Sequence, residues 1–585
     1  MKQTLIQSIF ATHTKEPVTV DAIVDLTIDI RAARDFGGAN VVKHLQDHHL
    51  TINDPKKTLF TFDCNPGGCD QKYAQNQHLC RQYARQHHIP VYDINAGIGT
   101  HLVIDQGLIT PGHTFVSTDS HANILGAIAA FGQGMGDIDI AYAFAHGTTW
   151  FKVPPTTAIT LKGTPSPQAT AKDIILHTTK TIGANGLLGS AAELHGPITT
   201  TLNLDERLTI ASMGTEMAAI TLLFPTTPKP TPDPGTSYTD FLTIDIDGLT
   251  PQISRPGHPE DVTTVKDLQG TTIDSGFIGS CTNGRIDDLR RAAHILKGKK
   301  IAPGRILKIV PATDTIWNQA LHEGLLQIFK DAGALIGSAG CAGCAAGQIG
   351  QTGAGEITIS TGNRNFTGKQ GKGDIYLASP ETVAASLIAG YITTKDTIPT
   401  TPSGTLQPPQ TQLPKQAPST TATPLLQFQG NARVIPHDNI DTDAIYHNRY
   451  LTITNQAEMG QYTFAGFKGH ETFAKQAKPG DILVTGKNLG AGSSRQQAVD
   501  CFKSLGISLI IADSFGAIYE RNAINSAFPI LTIPNALTQI SNGDHLTVDL
   551  TTGIIQNTTT KEQLKAHPFS SVQRAIYLRG GLLGR

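Results

Sequence analysis

The chain has little net charge, few cysteines and no long apolar run. Lys plus Arg (46) nearly balances Asp plus Glu (48), a net charge of −2. That leaves no long-range field to gather nucleic acid or an anionic membrane, so any basic site must be local. Seven cysteines, an odd and unevenly placed set, are too few for a disulfide framework and fit a reducing interior. Apolar runs such as 124–130 stop well short of the ~18 residues a membrane span needs. Residues 1–17 carry Gln3, Gln7 and Ser8 among their apolar residues and no small-residue cleavage pattern, which reads as no export signal. The expectation is a soluble protein of the cytoplasm, with neither membrane nor nucleic acid as a partner.

What is present is core material and glycine. Hydrophobic residues make up 39% of the 585, and the 58 glycines suit a compact, loop-rich, multidomain protein. Residues 401–424, rich in Thr, Pro and Gln without apolar periodicity, read as a linker. Before it, strand-like runs at 59–62, 114–117, 306–310 and 356–360 alternate with helix-like stretches, a pattern of α/β units on mostly parallel sheets. After it, 481–485 reads as a strand, 494–505 as a helix stopped by Gly506, and 507–512 as a second strand, one βαβ unit of a smaller domain. Gly132-Gln133-Gly134-Met135-Gly136 superficially resembles a nucleotide loop, but without a strand before it or an acidic residue about 20 positions on it reads as a tight turn between helices.

The chemistry is expected at the cysteines. Cys341 and Cys344 lie in Gly340-Cys341-Ala342-Gly343-Cys344, where small residues let the backbone wrap a bulky inorganic group. Cys281 occupies a second such turn, Gly279-Ser280-Cys281-Thr282-Asn283-Gly284. Alone, the Cys341/Cys344 pair reads equally as half a zinc site, a redox pair or ordinary thiols. Three thiolates on two glycine-rich turns suit a [4Fe–4S] cube with one iron lacking a protein ligand, and such an iron is a Lewis acid. Cys80 and Cys501 read as helical packing thiols. Gly492-Ser493-Ser494-Arg495, following a strand and opening a helix, suits a carboxylate on the helix amides with Arg495 as a clamp, or a helix merely capped by serine. Asp119-Ser120-His121 ends a strand-like run, where a doubly wound sheet puts its ligands, although such a tripeptide is also a common turn.

These stretches, with Asn363-Arg364-Asn365-Phe366-Thr367-Gly368, resemble the signature motifs of the aconitase superfamily. The region up to about Gly390 is similar to the large subunit of the isopropylmalate dehydratases within it, and the region after the linker to their small subunit. The resemblance covers nearly the whole chain. It implies a cluster-binding region of three α/β subdomains at 1–400, the linker at 401–424 and a smaller swivelling α/β domain at 425–585, fused so that no partner subunit is required. It further implies a [4Fe–4S] cluster on Cys281, Cys341 and Cys344, and a small hydroxy-carboxylate substrate that is reversibly dehydrated, with 3-isopropylmalate as first choice and citrate, homocitrate or a methyl- or dimethylmalate as alternatives. Ser493 would be the base, His121 paired with Glu216 would protonate the departing hydroxyl, and Asp63 and Asp119 would join the catalytic set. Arg364, Lys369, Ser494 and Arg495 would bind substrate. Asp438 to Asp443 matches an opening turn with a structural role.

Several positions depart from the family pattern. The usual Asp-His is Asp63-Cys64, and the usual Gly-Ile-X-His-Gln is Gly97-Ile98-Gly99-Thr100-His101, which puts His101 one residue late. The asparagine four before Glu216 is Ser212, an arginine becomes Lys369, and the Glu-His after Ser-Ser-Arg is Gln496-Gln497. Lysine keeps the charge at 369 but loses bidentate geometry. An iron-sensing RNA binder and a scaffold without activity are the readings of other classes; the balanced charge argues against the first, and the departures speak for the second.

Overall fold

The computed structural model describes residues 2–67, 71–225, 230–344, 347–399, 426–451, 453 and 455–584, without the side chains of Gln71 and Cys344. Cys69 and residues 401–424 lie outside them. The described residues build four sheets with helices packed against them and one two-stranded ribbon, an α/β architecture. The first sheet is wholly parallel, in the order Val91–Tyr92, Thr58–Thr61, Ile30–Arg34, Thr114–Ser117, Phe131–Gly134. Ile30–Arg34 is its central strand and is buried along its whole length, as parallel strands covered on both faces must be. A second parallel sheet of four strands contains Ala191–His195 and Thr156–Lys162. The third has seven strands, with Ser275–Ile278 between Ile357–Ser360 and Ile306–Ile309, all parallel.

The fourth sheet is drawn entirely from residues after 426. Gln427–Ile435, Ile482–Thr485, Leu509–Ala512 and Ile530–Thr532 run parallel, and three antiparallel strands extend it. One apolar core is continuous between the first sheet and this last region: Phe60, Phe131 and Phe144 belong to the same buried cluster as Tyr446, Phe502 and Tyr519.

Two local expectations are overturned. Phe131–Gly134 is a strand at the edge of the first sheet, running through Gly136 into the helix Asp137–His146, and not a turn between helices. Its glycines serve close approach: a Cβ on Gly132 would lie 1.9 Å from the Ala122 carbonyl oxygen, and one on Gly134 2.4 Å from that of Asp119. The second concerns 494–505, where the helix is Gln497–Leu505 and begins three residues late. Ser493, Ser494 and Arg495 therefore lie in the loop before the helix and do not form its first turn, because the Ser494 hydroxyl is used in a contact with another part of the chain, donating to the Thr118 carbonyl at 2.8 Å.

Candidate active site

Three adjacent parallel strands of the first sheet end side by side, and each ends in a charged group. Thr58–Thr61 leads to Asp63, the central strand ends in Arg34, and Thr114–Ser117 leads to Asp119, at the carboxyl edge where open α/β sheets bind ligands. Arg34 joins the other two: its Nε donates to Asp63 Oδ1 at 2.7 Å and its Nη1 lies 3.0 Å from Asp119 Oδ1. Burial opposes the guanidinium's charge, but Asp119 and Asp63 outweigh it and hold the proton firmly. Burial also lifts the Asp63 carboxyl to about 7, against the pull of Arg34 and with the push of Asp35, Cys341 and Asp119.

The cysteine turns pack against this edge. The Cys341 amide donates to the Asp63 carbonyl at 2.8 Å, and Cys341 Sγ lies 3.9 Å from Cys281 Sγ, both buried. The Cys281 turn follows the strand Ser275–Ile278 and needs its glycine: Gly279 has φ 154°, and a Cβ there would lie 2.7 Å from the Val310 carbonyl oxygen. Asp119, His121 and Cys281 each place a ligand-type atom within 4.8 Å of the others. The backbone of Cys344 closes the short turn Ala342–Cys344; its side chain lies outside the described residues.

From Asp119 a line of buried polar groups leads to the C-terminal region. His121 Nε2 is 3.2 Å from Glu216 Oε1, Arg364 Nε donates to the same oxygen at 2.7 Å, and Arg364 Nη1 donates to Ser493 Oγ at 2.9 Å. Burial would raise the Glu216 carboxyl, but Arg364 and His121 outweigh it and keep it below its ordinary value. Arg495 Nη1 lies 2.6 Å and Lys369 Nζ 4.0 Å from Asp443. Burial opposes ionisation of Asp443, but these two cations bring it down to about 2. A cavity of about 150 Å³ opens beside this line, with Ser120, Asn123, Glu216, Arg364, Asp441 and Gly492 in its wall.

The candidates thus fall into two linked groups. Asp63, Asp119, His121, Glu216, Arg364 and Ser493 are joined through Arg34 and one another, and Lys369 and Arg495 share Asp443. Ser494 is turned to the Thr118 carbonyl instead. The turn at 438–443 does more than shape the chain: Asp441 caps the helix Thr442–Ile445, but Asp443 holds the two cations. Sequence reasoning gave Asp443 only a structural role, and it passed over Arg34 and Asn123, whose buried amide has no hydrogen-bond partner among the described residues. The sequence around Arg34, Ile30-Arg31-Ala32-Ala33-Arg34, carries no signal that sets this arginine apart from Arg31.

The departures are accommodated. The Cys64 thiol is driven up by burial and hydrogen-bonds Cys341, and its backbone amide and that of Asn65 donate to the buried carboxylate of Asp35 at 3.0 and 2.8 Å. His101, pushed down to about 4 by burial and by Arg285, shares a hydrogen bond with the Cys281 carbonyl at 2.9 Å. The Ser212 hydroxyl donates to the Thr209 carbonyl at 2.9 Å. Gln496 donates to Asp500, and Gln497 to the Leu451 carbonyl.

Cys281 and Cys341 come from separate turns, and their sulfurs lie well beyond the ~2 Å of a disulfide. Two buried thiols, a third cysteine on the adjoining turn and glycines where any side chain would intrude fit a thiolate-bound inorganic cluster.

Residues 7–231 and 227–390 match the Aconitase family (aconitate hydratase), and residues 422–536 match the Aconitase C-terminal domain. The chain is 37% identical to the 3-isopropylmalate dehydratase large subunit of Nitratidesulfovibrio vulgaris, over 67% of this chain and 99% of that protein. It is 35% identical to the homoaconitase large subunit of Thermus thermophilus, over 68% of this chain and 98% of that protein. A mitochondrial homoaconitase of Cryptococcus neoformans aligns with 100% of the chain at 28% identity, over 95% of its own length. No helix among the described residues is long and apolar enough to cross a membrane. With matches over most of its length and the site's charged groups gathered where the sheets and the C-terminal region meet, the chain belongs to the aconitase family and is a hydro-lyase.

Proposed function

We propose that this chain reversibly dehydrates a small hydroxy di- or tricarboxylic acid with a [4Fe–4S] cluster held by Cys281, Cys341 and Cys344. 3-Isopropylmalate is the first candidate; homocitrate, citrate and methyl- or dimethylmalates are the alternatives. The observation that carries the reading is the hydrogen-bonded line from His121 through Glu216 and Arg364 to Ser493, which starts where Asp119 and His121 lie within 4.8 Å of Cys281. When bound, the cluster supplies a Lewis acid at an iron without a protein ligand.

The chain's own residues supply the rest. Ser493 Oγ takes the carbon-bound proton. A serine is a weak base by itself, and the Arg364 guanidinium 2.9 Å away favours its alkoxide. His121, kept oriented by Glu216, gives a proton to the departing oxygen. Arg364, Lys369 and Arg495 are assigned to substrate carboxylates, with Asp443 fixing Lys369 and Arg495; Ser494 is left out of this set because its hydroxyl donates to the Thr118 carbonyl. In this reading residues 1–400 form the cluster-binding region, 401–424 the linker and 425–585 the swivelling domain that brings Ser493 to Arg364. Because both regions lie on one polypeptide, no separate small subunit is needed. The cytoplasm is the proposed location.

The test is a panel of these acids given to anaerobically reconstituted protein and followed by the ultraviolet absorbance of the unsaturated product. One acid should be turned over well ahead of the others. Ser493→Ala should lower kcat by at least about a hundredfold and leave the cluster's visible absorbance unchanged. Failure of every acid, or a Ser493→Ala variant near wild-type activity, overturns the corresponding part of the reading.

A further inference from the structure

Arg34 occupies the carboxyl end of the central strand of the first sheet, with only 5% of its surface exposed. Two of its three guanidinium nitrogens are engaged, Nε with Asp63 and Nη1 with Asp119. The third, Nη2, is buried and has no hydrogen-bond partner among the described residues, and the same is true of Asp119 Oδ2. A buried donor and a buried acceptor are thus both left unmet on one ion pair. Native interiors rarely tolerate such groups unless a ligand or water satisfies them. Asp119 is also the carboxylate within 4.8 Å of His121 and Cys281. The complement of a donor beside an acceptor is a group that accepts one hydrogen bond and donates another, and a hydroxyl is the simplest such group.

We infer that Arg34 is a further catalytic residue, which donates from Nη2 to the oxygen of the substrate hydroxyl while Asp119 Oδ2 accepts that hydroxyl's proton as a hydrogen bond. The inference rests on the hydroxy-acid reading above and deepens it. In dehydration the C–O bond breaks with its electron pair leaving on oxygen, the oxygen takes the proton of His121 and departs as water, and the carbon-bound proton passes to Ser493. Arg34 transfers no proton. Its fixed positive charge stabilises the negative charge that grows on the departing oxygen. Cys64 and His101 are engaged elsewhere, Cys64 with Cys341 and His101 with the Cys281 carbonyl.

The experiment compares two acids that cannot react. 3,3-Dimethylmalate carries the hydroxyl but has no proton on the neighbouring carbon, and 2,2-dimethylsuccinate is the same acid without the hydroxyl. Calorimetric titration of the cluster-loaded full chain should give wild type a preference for the hydroxy acid of about tenfold or more, the scale of a charge-assisted hydrogen bond. Arg34→Gln and Arg34→Lys should lose that preference, the affinity for 3,3-dimethylmalate falling about tenfold further than that for 2,2-dimethylsuccinate. Loss of affinity for both acids alike would make Arg34 a positioning residue and overturn the inference, as would a preference retained in either variant. Equal binding of the two acids by wild type also overturns the inference, because the hydroxyl then has no donor in the site. Wild type that binds neither acid and turns over no member of the panel refutes the hydroxy-acid reading itself, and the inference falls with it; wild type that turns over an acid while its variants keep the preference refutes Arg34 alone.

Discussion

Lys172 shows how one buried side chain shapes the site without entering it. The side chain is fully buried, and Nζ donates to the carbonyls of Thr361 at 3.0 Å and Gly362 at 2.7 Å, the two residues before Asn363-Arg364. Burial brings its ammonium down from 10.5 to about 7, against the pull of Glu216, Asp288 and Asp173. The folded pKa lies below the unfolded one, so between about pH 7 and 10.5 the unfolded chain binds the extra proton and this group's contribution to stability rises with pH. Below that window the lysine is charged in both states and the full burial penalty remains. The unfolding free energy of wild type should therefore climb relative to Lys172→Met between pH 7 and 10, with a slope of at most about 1.4 kcal/mol per pH unit, and its melting temperature should rise with it. Parallel pH profiles for the two proteins would show that Lys172 does not titrate there.

Among the elements, the turn after Ser275–Ile278 carries a direct test. Gly279→Ala would place a Cβ 2.7 Å from the Val310 carbonyl oxygen and 2.9 Å from the Phe277 ring, and the turn would have to shift Cys281. Iron and sulfide bound per chain should fall severalfold with an unchanged far-ultraviolet circular dichroism spectrum; full cluster occupancy would count against that turn as a ligand. The strand Thr114–Ser117 was legible to the residue because four buried apolar and small polar residues end at a charged turn. The helix at Gln497–Leu505 was legible only from its body and its Gly506 stop, since Ser494 is pledged to Thr118 and Arg495 to Asp443. Local capping preference lost to contacts over 50 or more residues. The strand Phe131–Gly134 was hidden because three glycines in five carry no β signal; the close approach of Ala122 to Gly132 and of Asp119 to Gly134 demands two of them.

Across the whole molecule, Ser493 meets Arg364 only if the C-terminal region sits correctly on the first sheet. Arg521 does much of that docking: Nη2 donates to Asp139 Oδ1 at 2.7 Å and to Thr149 Oγ1 at 3.1 Å, and the guanidinium lies 3.7 Å from the Trp150 ring centroid. Trp150 donates in turn to Asn525. Arg521→Ala would leave Asp139 buried without its cation, a loss of about 3–5 kcal/mol. Its melting temperature and kcat should both drop, with cluster content maintained; a variant that melts and turns over like wild type would show that the docking rests elsewhere.

The order of motifs along the chain determined the family, the α/β class and the residue types of the site, because each motif is local and its small or charged residues are legible one by one. Tertiary structure alone decided which of them meet. Arg34 between Asp63 and Asp119, Asp443 between Lys369 and Arg495, and Arg364 beside Ser493 join groups that lie from 29 to 129 residues apart. No spacing rule relates residues at such separations; the parallel sheet does, by bringing the ends of its strands to one edge.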